Sequence, residues 1–179
     1  LVSAELRGLP AVHSPWQGTD MATYQRLATE IATGKWPDCF YYQPFYYAVF
    51  LPAIYKVFGV SPWAVIVVQA CLGSLTVWLT GLIGARLFGR RAGLAAALLL
   101  CLARTHIFFA PFLLFEILNG FWITLLVFLT LRAWDTGQVR FWALTALTAA
   151  AGVLTRGNVI LLVPGVLGLL VWQQRRTPA

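Results

Sequence analysis

An all-α, polytopic membrane helix bundle with an amphipathic juxtamembrane helix is the fold this sequence predicts, and three observations predict it. Of 179 residues, 60% are hydrophobic and only 11% charged, a balance well outside that of soluble domains. Beyond Ser61, apolar runs approach or exceed the roughly 20 residues a bilayer crossing takes, separated by short loops that carry arginine. Residues 1–60 contrast with the rest: they hold turn formers, tyrosines and four of the six acids, the character of a first outer loop with interfacial helices. Leu1 in place of Met, and a chain that closes on Arg175-Arg176-Thr177-Pro178-Ala179 directly after an apolar run, give the expectation of a fragment cut from a longer protein.

The elements follow in order. Asp20 or Thr19 caps a helix in which Met21, Tyr24, Leu27, Ala28 and Ile31 recur at helical spacing, with Gly34 and Pro37 as the stop. Such a helix is expected to lie on the membrane surface. An aromatic run from Phe40 to Tyr47 leads into an apolar segment that contains Pro52 and ends at Gly59, which predicts a kinked or interfacial helix. Residues 61–176 then carry about five spans: 63–88, 92–112, 117–134, 141–155 and 158–172. The first two form a tight hairpin across Gly89-Arg90-Arg91, and the last two, at about 15 residues each, are marginal for a full crossing.

Arg86, Arg90, Arg91, Arg132, Arg140, Arg175 and Arg176 fall on one side of these spans, which the positive-inside rule makes cytoplasmic. Glu5, Asp20, Glu30, Asp38 and Glu116 fall on the other, together with Arg7, Arg26, Lys35, Lys56 and Arg156; Asp135 alone among the acids faces in. The net charge of +7 therefore sets orientation and implies no nucleic-acid partner. Cys39, Cys71 and Cys101 have no disulfide or metal-ligand spacing. The absence of a P-loop, Gly-x-Ser-x-Gly, His-Glu-x-x-His or Rossmann fingerprint removes nucleotide-driven and common hydrolytic chemistry from this stretch.

Six residues stand out as site candidates. Asp20 is either a general base at the outer membrane surface or a helix cap, and Glu116 either shares a substrate or a divalent ion with it or is an interfacial charge favoured at a helix N-terminus. Arg104, about 12 Å of helix rise below the outer end of the second span, either holds a phosphate or pairs with an acid inside the bundle, unless it snorkels outward or the helix ends earlier. Arg156, at the turn Leu154-Thr155-Arg156-Gly157-Asn158, has the guanidinium fork that suits phosphate oxygens, or is a plain loop cation. Tyr24 and Tyr46, with Lys35, Tyr42, Gln43 and Tyr47, fit a sugar-binding groove or, more simply, an interfacial aromatic belt. His106 has no ligand spacing around it, so a structural hydrogen bond is its default role.

In their order, four segments resemble the polyprenyl-phosphate-sugar glycosyltransferases of the GT-C superfamily, in particular the family 39 branch of protein O-mannosyltransferases and the aminoarabinose transferase of lipid A. They are Gly18-Thr19-Asp20-Met21-Ala22-Thr23-Tyr24-Gln25-Arg26-Leu27-Ala28, Gln43-Pro44-Phe45-Tyr46-Tyr47 leading to Val57-Phe58-Gly59, the hairpin from Ala85 to Ala96, and His106-Ile107-Phe108-Phe109 through Leu114-Phe115-Glu116. By that resemblance Asp20 matches the family's catalytic acid at the start of a juxtamembrane helix, Glu116 a second acid beside the same outward cavity, and Leu154-Thr155-Arg156 the family's Leu-x-Arg turn. Phe115 departs from the small hydroxyl residue common before the second acid, and Arg104-Thr105 from a turn that commonly contains Pro.

The resemblance implies an inverting glycosyltransferase of the cell membrane with its active site facing the periplasm or exterior. Its partners are a polyprenyl-phosphate-linked sugar donor, a lipid, glycan or protein acceptor, and the lipid bilayer. No cofactor is required by the motifs, and a divalent metal ion near Asp20 and Glu116 stays open because some members use one. Family members extend beyond both ends of this sequence, so the isolated fragment is expected to be inactive. The competing reading is a polytopic transporter or lipid flippase without transferase chemistry, which would place its essential charges near the bilayer midplane; a scaffold subunit would show no convergence of these groups.

Overall fold

Thr19 starts the first helix, α1 (Asp20–Ala32), by accepting a hydrogen bond at its Oγ1 from the Ala22 N–H at 3.4 Å. The capping role thus falls to Thr19, and Asp20 is left as the first helical residue with its carboxylate exposed. The computed structural model describes residues 18–40 and 42–176. Glu5 and Arg7, counted above among the outward charges, lie outside the described residues, as do Tyr41 of the aromatic run and the side chain of Arg176.

The apolar face of α1 is as predicted in composition, with Tyr24, Leu27, Ala28 and Ile31 all buried. Its partner, however, is protein. These side chains enter one core with Tyr46, Tyr47, Leu51 and Ile54 of the next helical segment and with Leu113, Phe115 and Leu118 from further along. Spacing shows that a face is apolar but not what covers it, which is why lipid was the expectation. That next segment begins as a π-helix at Phe45–Phe50, in which the Leu51 N–H reaches back to the Tyr46 carbonyl, and runs directly into α2 (Leu51–Phe58). Pro52 sits in the first turn of α2, where its missing N–H costs little.

The long helix α3 (Pro62–Phe88) packs along α4 (Arg90–Cys101) and along α6 (Glu116–Thr136), and α6 packs in turn along α7 (Val139–Thr155). The α3–α4 hairpin turns at Gly89 (φ 93°), a conformation that L side chains rarely adopt, and closes through small residues: a Cβ on Gly93 would lie 2.5 Å from the Ala85 backbone nitrogen. The predicted span 92–112 is interrupted. It consists of α4, a break at Leu102 and extended Ala103, and the short α5 (Arg104–Phe109). No Pro or Gly marks the break in the sequence, so an apolar run of adequate length read as one helix.

Beyond α7, the chain forms a 3₁₀ turn at Gly157–Leu162 and then α8 (Val163–Arg176). Among the described residues, three helical stretches are long and apolar enough to cross a membrane: Pro62–Phe88, Glu116–Thr136 and Gly157–Arg175, the last running through the 3₁₀ turn. Threonines of α3, α6 and α7 are satisfied within their own helices: Thr76, Thr130, Thr145 and Thr155 each donate to the carbonyl four residues back. The Arg86 guanidinium, near the C-terminus of α3, grips the Asp135 carboxylate near the C-terminus of α6 with two hydrogen bonds, one of them Nε to Oδ2 at 2.6 Å. This pair puts the C-terminal ends of α3 and α6 at one end of the bundle, and Glu116, at the start of α6, at the other.

Candidate active site

The amino end of α6 and the start of α1 meet around Tyr24. Its phenol donates to Gln43 Oε1 at 2.7 Å, and its ring packs edge-on to Tyr46 at 5.4 Å and to Phe115 at 6.3 Å and stacks on Tyr47 at 6.2 Å. Gln43 takes a left-handed conformation (φ 53°) that the hydrogen bond to Tyr24 helps to hold. The Tyr24 phenol is pushed up to about 12, first by its burial and then by the negative charges of Asp20 and Glu116, with a smaller effect from Tyr47. The negative charges of both acids therefore reach one partly buried hydroxyl.

Each acid opens onto its own cavity. Asp20 lines one of about 180 Å³ with Thr23, Tyr24, Tyr42, Gln43 and Tyr47. Among the described residues no hydrogen bond or ion pair engages its carboxylate. Glu116 lines another of about 550 Å³ with Ala103, Thr105, His106, Ile117 and Arg156. One Glu116 oxygen, Oε2, is buried without a hydrogen-bond partner. A carboxylate oxygen in that state favours any donor that enters the cavity, because leaving it unpaired costs desolvation energy. Arg156 faces Glu116 across this cavity from the turn after α7, its guanidinium 5.3 Å from the centre of the Phe115 ring. Phe115 thus touches both Tyr24 and Arg156 and ties the two flanks together.

The break between α4 and α5 has its place here. Irregular backbone at membrane depth is tolerated where it is enclosed by protein or lines a polar cavity, and Leu100, Ala103, Thr105 and His106 from this stretch form one wall of the Glu116 cavity. His106 Nε2 lies 3.3 Å from the Gly73 carbonyl, which can only accept, so Nε2 is the donor of this contact.

The structure sorts the six candidates. Asp20, Tyr24, Glu116 and Arg156 gather at one end of the bundle. Arg104 is exposed at the start of α5 and does not line either cavity, where its neighbours Thr105 and His106 stand instead. Tyr46 is wholly enclosed, its hydroxyl accepting from Gln69 Nε2 at 3.1 Å, and Tyr47 is the residue of that pair that reaches the Asp20 cavity. Gln69 was missed. A fully buried Gln in a 27-residue apolar helix is a signal in itself, and here it donates to both Tyr46 and the Leu114 carbonyl, pinning the chain just ahead of Glu116.

The model of one family, dolichyl-phosphate-mannose-protein mannosyltransferase, matches residues 42–178, which is most of the chain. The chain belongs to this family. No curated relative and no solved structure matches it. Family membership and the three candidate spans together make it a membrane protein of a glycosyltransferase family. The mannosyltransferase match takes in Glu116, Arg156, His106 and Tyr46, and begins after Asp20 and Tyr24, so the α1 half of the site stands on its geometry.

Proposed function

We propose that this chain forms the membrane-embedded site of an inverting glycosyltransferase that takes sugar from a polyprenyl-phosphate donor at the outer face of a multi-pass cell membrane protein. The observation that carries this reading is the convergence around Tyr24: an exposed, unengaged Asp20 on one flank, and on the other a Glu116 oxygen without a partner, opposite the Arg156 fork.

Asp20 accepts the proton of an acceptor hydroxyl as that oxygen attacks the anomeric carbon. The bond from that carbon to the phosphate oxygen breaks with its electron pair on the phosphate, so configuration inverts and the charge of the leaving group grows. Arg156, unpaired by any acid among the described residues and steadied on Phe115, stabilises that charge. Glu116 orients the sugar by accepting from its hydroxyls at the buried, unpartnered oxygen. A divalent ion, where one is bound, would be held by the carboxylates of Asp20 and Glu116 and would supply positive charge to the leaving phosphate. No step is routed through one.

In the full-length protein, Asp20→Asn is expected to lower sugar transfer from membrane lipid by about 10²- to 10⁴-fold, the range for a general base, with expression unchanged. Turnover near the parental level removes Asp20 from the mechanism.

A further inference from the structure

At the far end of α3 and α6 from Glu116 lies a third cavity, of about 210 Å³, lined by Arg86, Arg132 and Asp135 with Leu82, Ile83, Phe128 and Leu131. Nineteen residues of α6 separate Glu116 from Asp135, about 28 Å of helix rise, which is close to the thickness of a bilayer's hydrocarbon core. If the acids sit at one membrane interface, this cavity sits at the other. Its charges do not cancel. Arg86 spends its fork on Asp135, whereas Arg132 makes no salt bridge among the described residues, lies over the Phe128 ring at 5.5 Å and acts on Asp135 only through its charge, more weakly than Arg86 does. Two guanidiniums against one carboxylate leave a net positive opening, and the Arg86–Asp135 pair fixes its wall.

We infer that this cavity binds the phosphate headgroup of an anionic phospholipid from the opposite leaflet, a site separate from the transferase centre and independent of it. The form of the cavity fits such an occupant. The guanidinium of Arg132 supplies donors for phosphate oxygens, and Leu82, Ile83 and Leu131 continue from it as an apolar wall along which acyl chains lie. The volume is several times the ~30 Å³ share of one water, enough for a phosphate group. A phospholipid is favoured over free phosphate because four of the seven lining residues, Leu82, Ile83, Phe128 and Leu131, are apolar and the lining belongs to two helices long and apolar enough to cross the membrane.

The test is lipid retention by the full-length protein in micelles containing equal amounts of phosphatidylglycerol and phosphatidylcholine, read by native mass spectrometry. Preferential retention of phosphatidylglycerol is expected. Arg132→Gln is expected to reduce that preference about fivefold, the effect of removing one basic residue's attraction of about 1 kcal/mol, and Arg132→Lys to keep most of it. Arg132 is exposed, and its loss leaves the Arg86–Asp135 pair in place. Equal retention of the two lipids, or an unchanged preference in Arg132→Gln, overturns the site. Binding of inorganic phosphate that depends on Arg132, with no preference between the two lipids, assigns the cavity to soluble phosphate and overturns the lipid.

Discussion

Tyr24 is the residue on which the two halves of the site meet, and its chemistry follows from burial between carboxylates. Its folded value of about 12 lies above the ordinary 10.0, so the phenol stays protonated and donates to Gln43 through the neutral range. The stability this provides is fully present below pH 10 and is lost as pH rises through 12, where the buried ring must ionise beside two negative charges. Tyr24→Phe removes the hydrogen bond at a cost of about 1 kcal/mol at neutral pH. The same variant lacks the ionising group, so alkaline unfolding curves of the two proteins are expected to converge above pH 10; parallel curves contradict the assignment. Arg156 is the second residue-scale test. Arg156→Ala is expected to lower kcat/KM about 10- to 100-fold, the loss of one hydrogen bond to a charged group. Sequence singled out Asp20, Glu116 and Arg156 because an ionisable group beside long apolar runs needs a reason to be there, and the structure places them at one end of the bundle. Arg104 and Tyr46 stand off the two cavities because neighbours on a helix point to different faces, and only coordinates tell Thr105 and His106 from Arg104, or Tyr47 from Tyr46.

At the scale of elements, close backbone approach at the α3–α4 hairpin holds the bundle's first pair of helices together. A Cβ on Gly93 meets backbone on two sides, 2.5 Å from the Ala85 nitrogen and 2.5 Å from the Gly81 carbonyl oxygen, and backbone cannot swing aside as a side chain can. Gly93→Ala is therefore expected to destabilise the protein by about 1–3 kcal/mol, in the range of overpacked cores, seen as a lower melting temperature in detergent. Gly120→Ala, at a helical position with open space around it, is the matched control and is expected to have no such effect. The long helices α3 and α6 were legible because twenty or more apolar residues in a row admit few other structures. The interruption between α4 and α5 was not, since Leu102 and Ala103 are as apolar as their neighbours and the cavity that accommodates the break is built by Glu116 and Arg156, far away in sequence. The same limit applied to α1, whose apolar stripe is satisfied equally well by lipid or by the tyrosines of the following segment.

For the molecule as a whole, the Arg86–Asp135 pair and the shared surroundings of Tyr24 settle which helix ends lie together, and this converts the arginine count into a test of orientation. Cys39 is exposed in the segment between α1 and the π-helix, at the end of the bundle that holds Asp20. Gly137 is exposed in the loop after α6, at the end that holds Arg86 and Asp135. Arginine is concentrated at this second end, so under the orientation proposed above this end faces the cytoplasm and Cys39 the exterior. A membrane-impermeant thiol reagent is then expected to label Cys39 in intact cells. Cys71 and Cys101 lie on helices α3 and α4 within apolar stretches, where the thiolate that reacts is disfavoured, and are expected to stay unlabelled. With the native cysteines replaced by Ser, Gly137→Cys is expected to react only after the membrane is permeabilised. The opposite pattern, with Gly137→Cys labelled in intact cells and Cys39 protected, would turn the acids toward the cytoplasm. It would leave Asp20 and Glu116 facing the wrong leaflet for an outward-presented prenyl-linked sugar, while the phosphate-sized cavity at Arg132 would then lie in the outer leaflet.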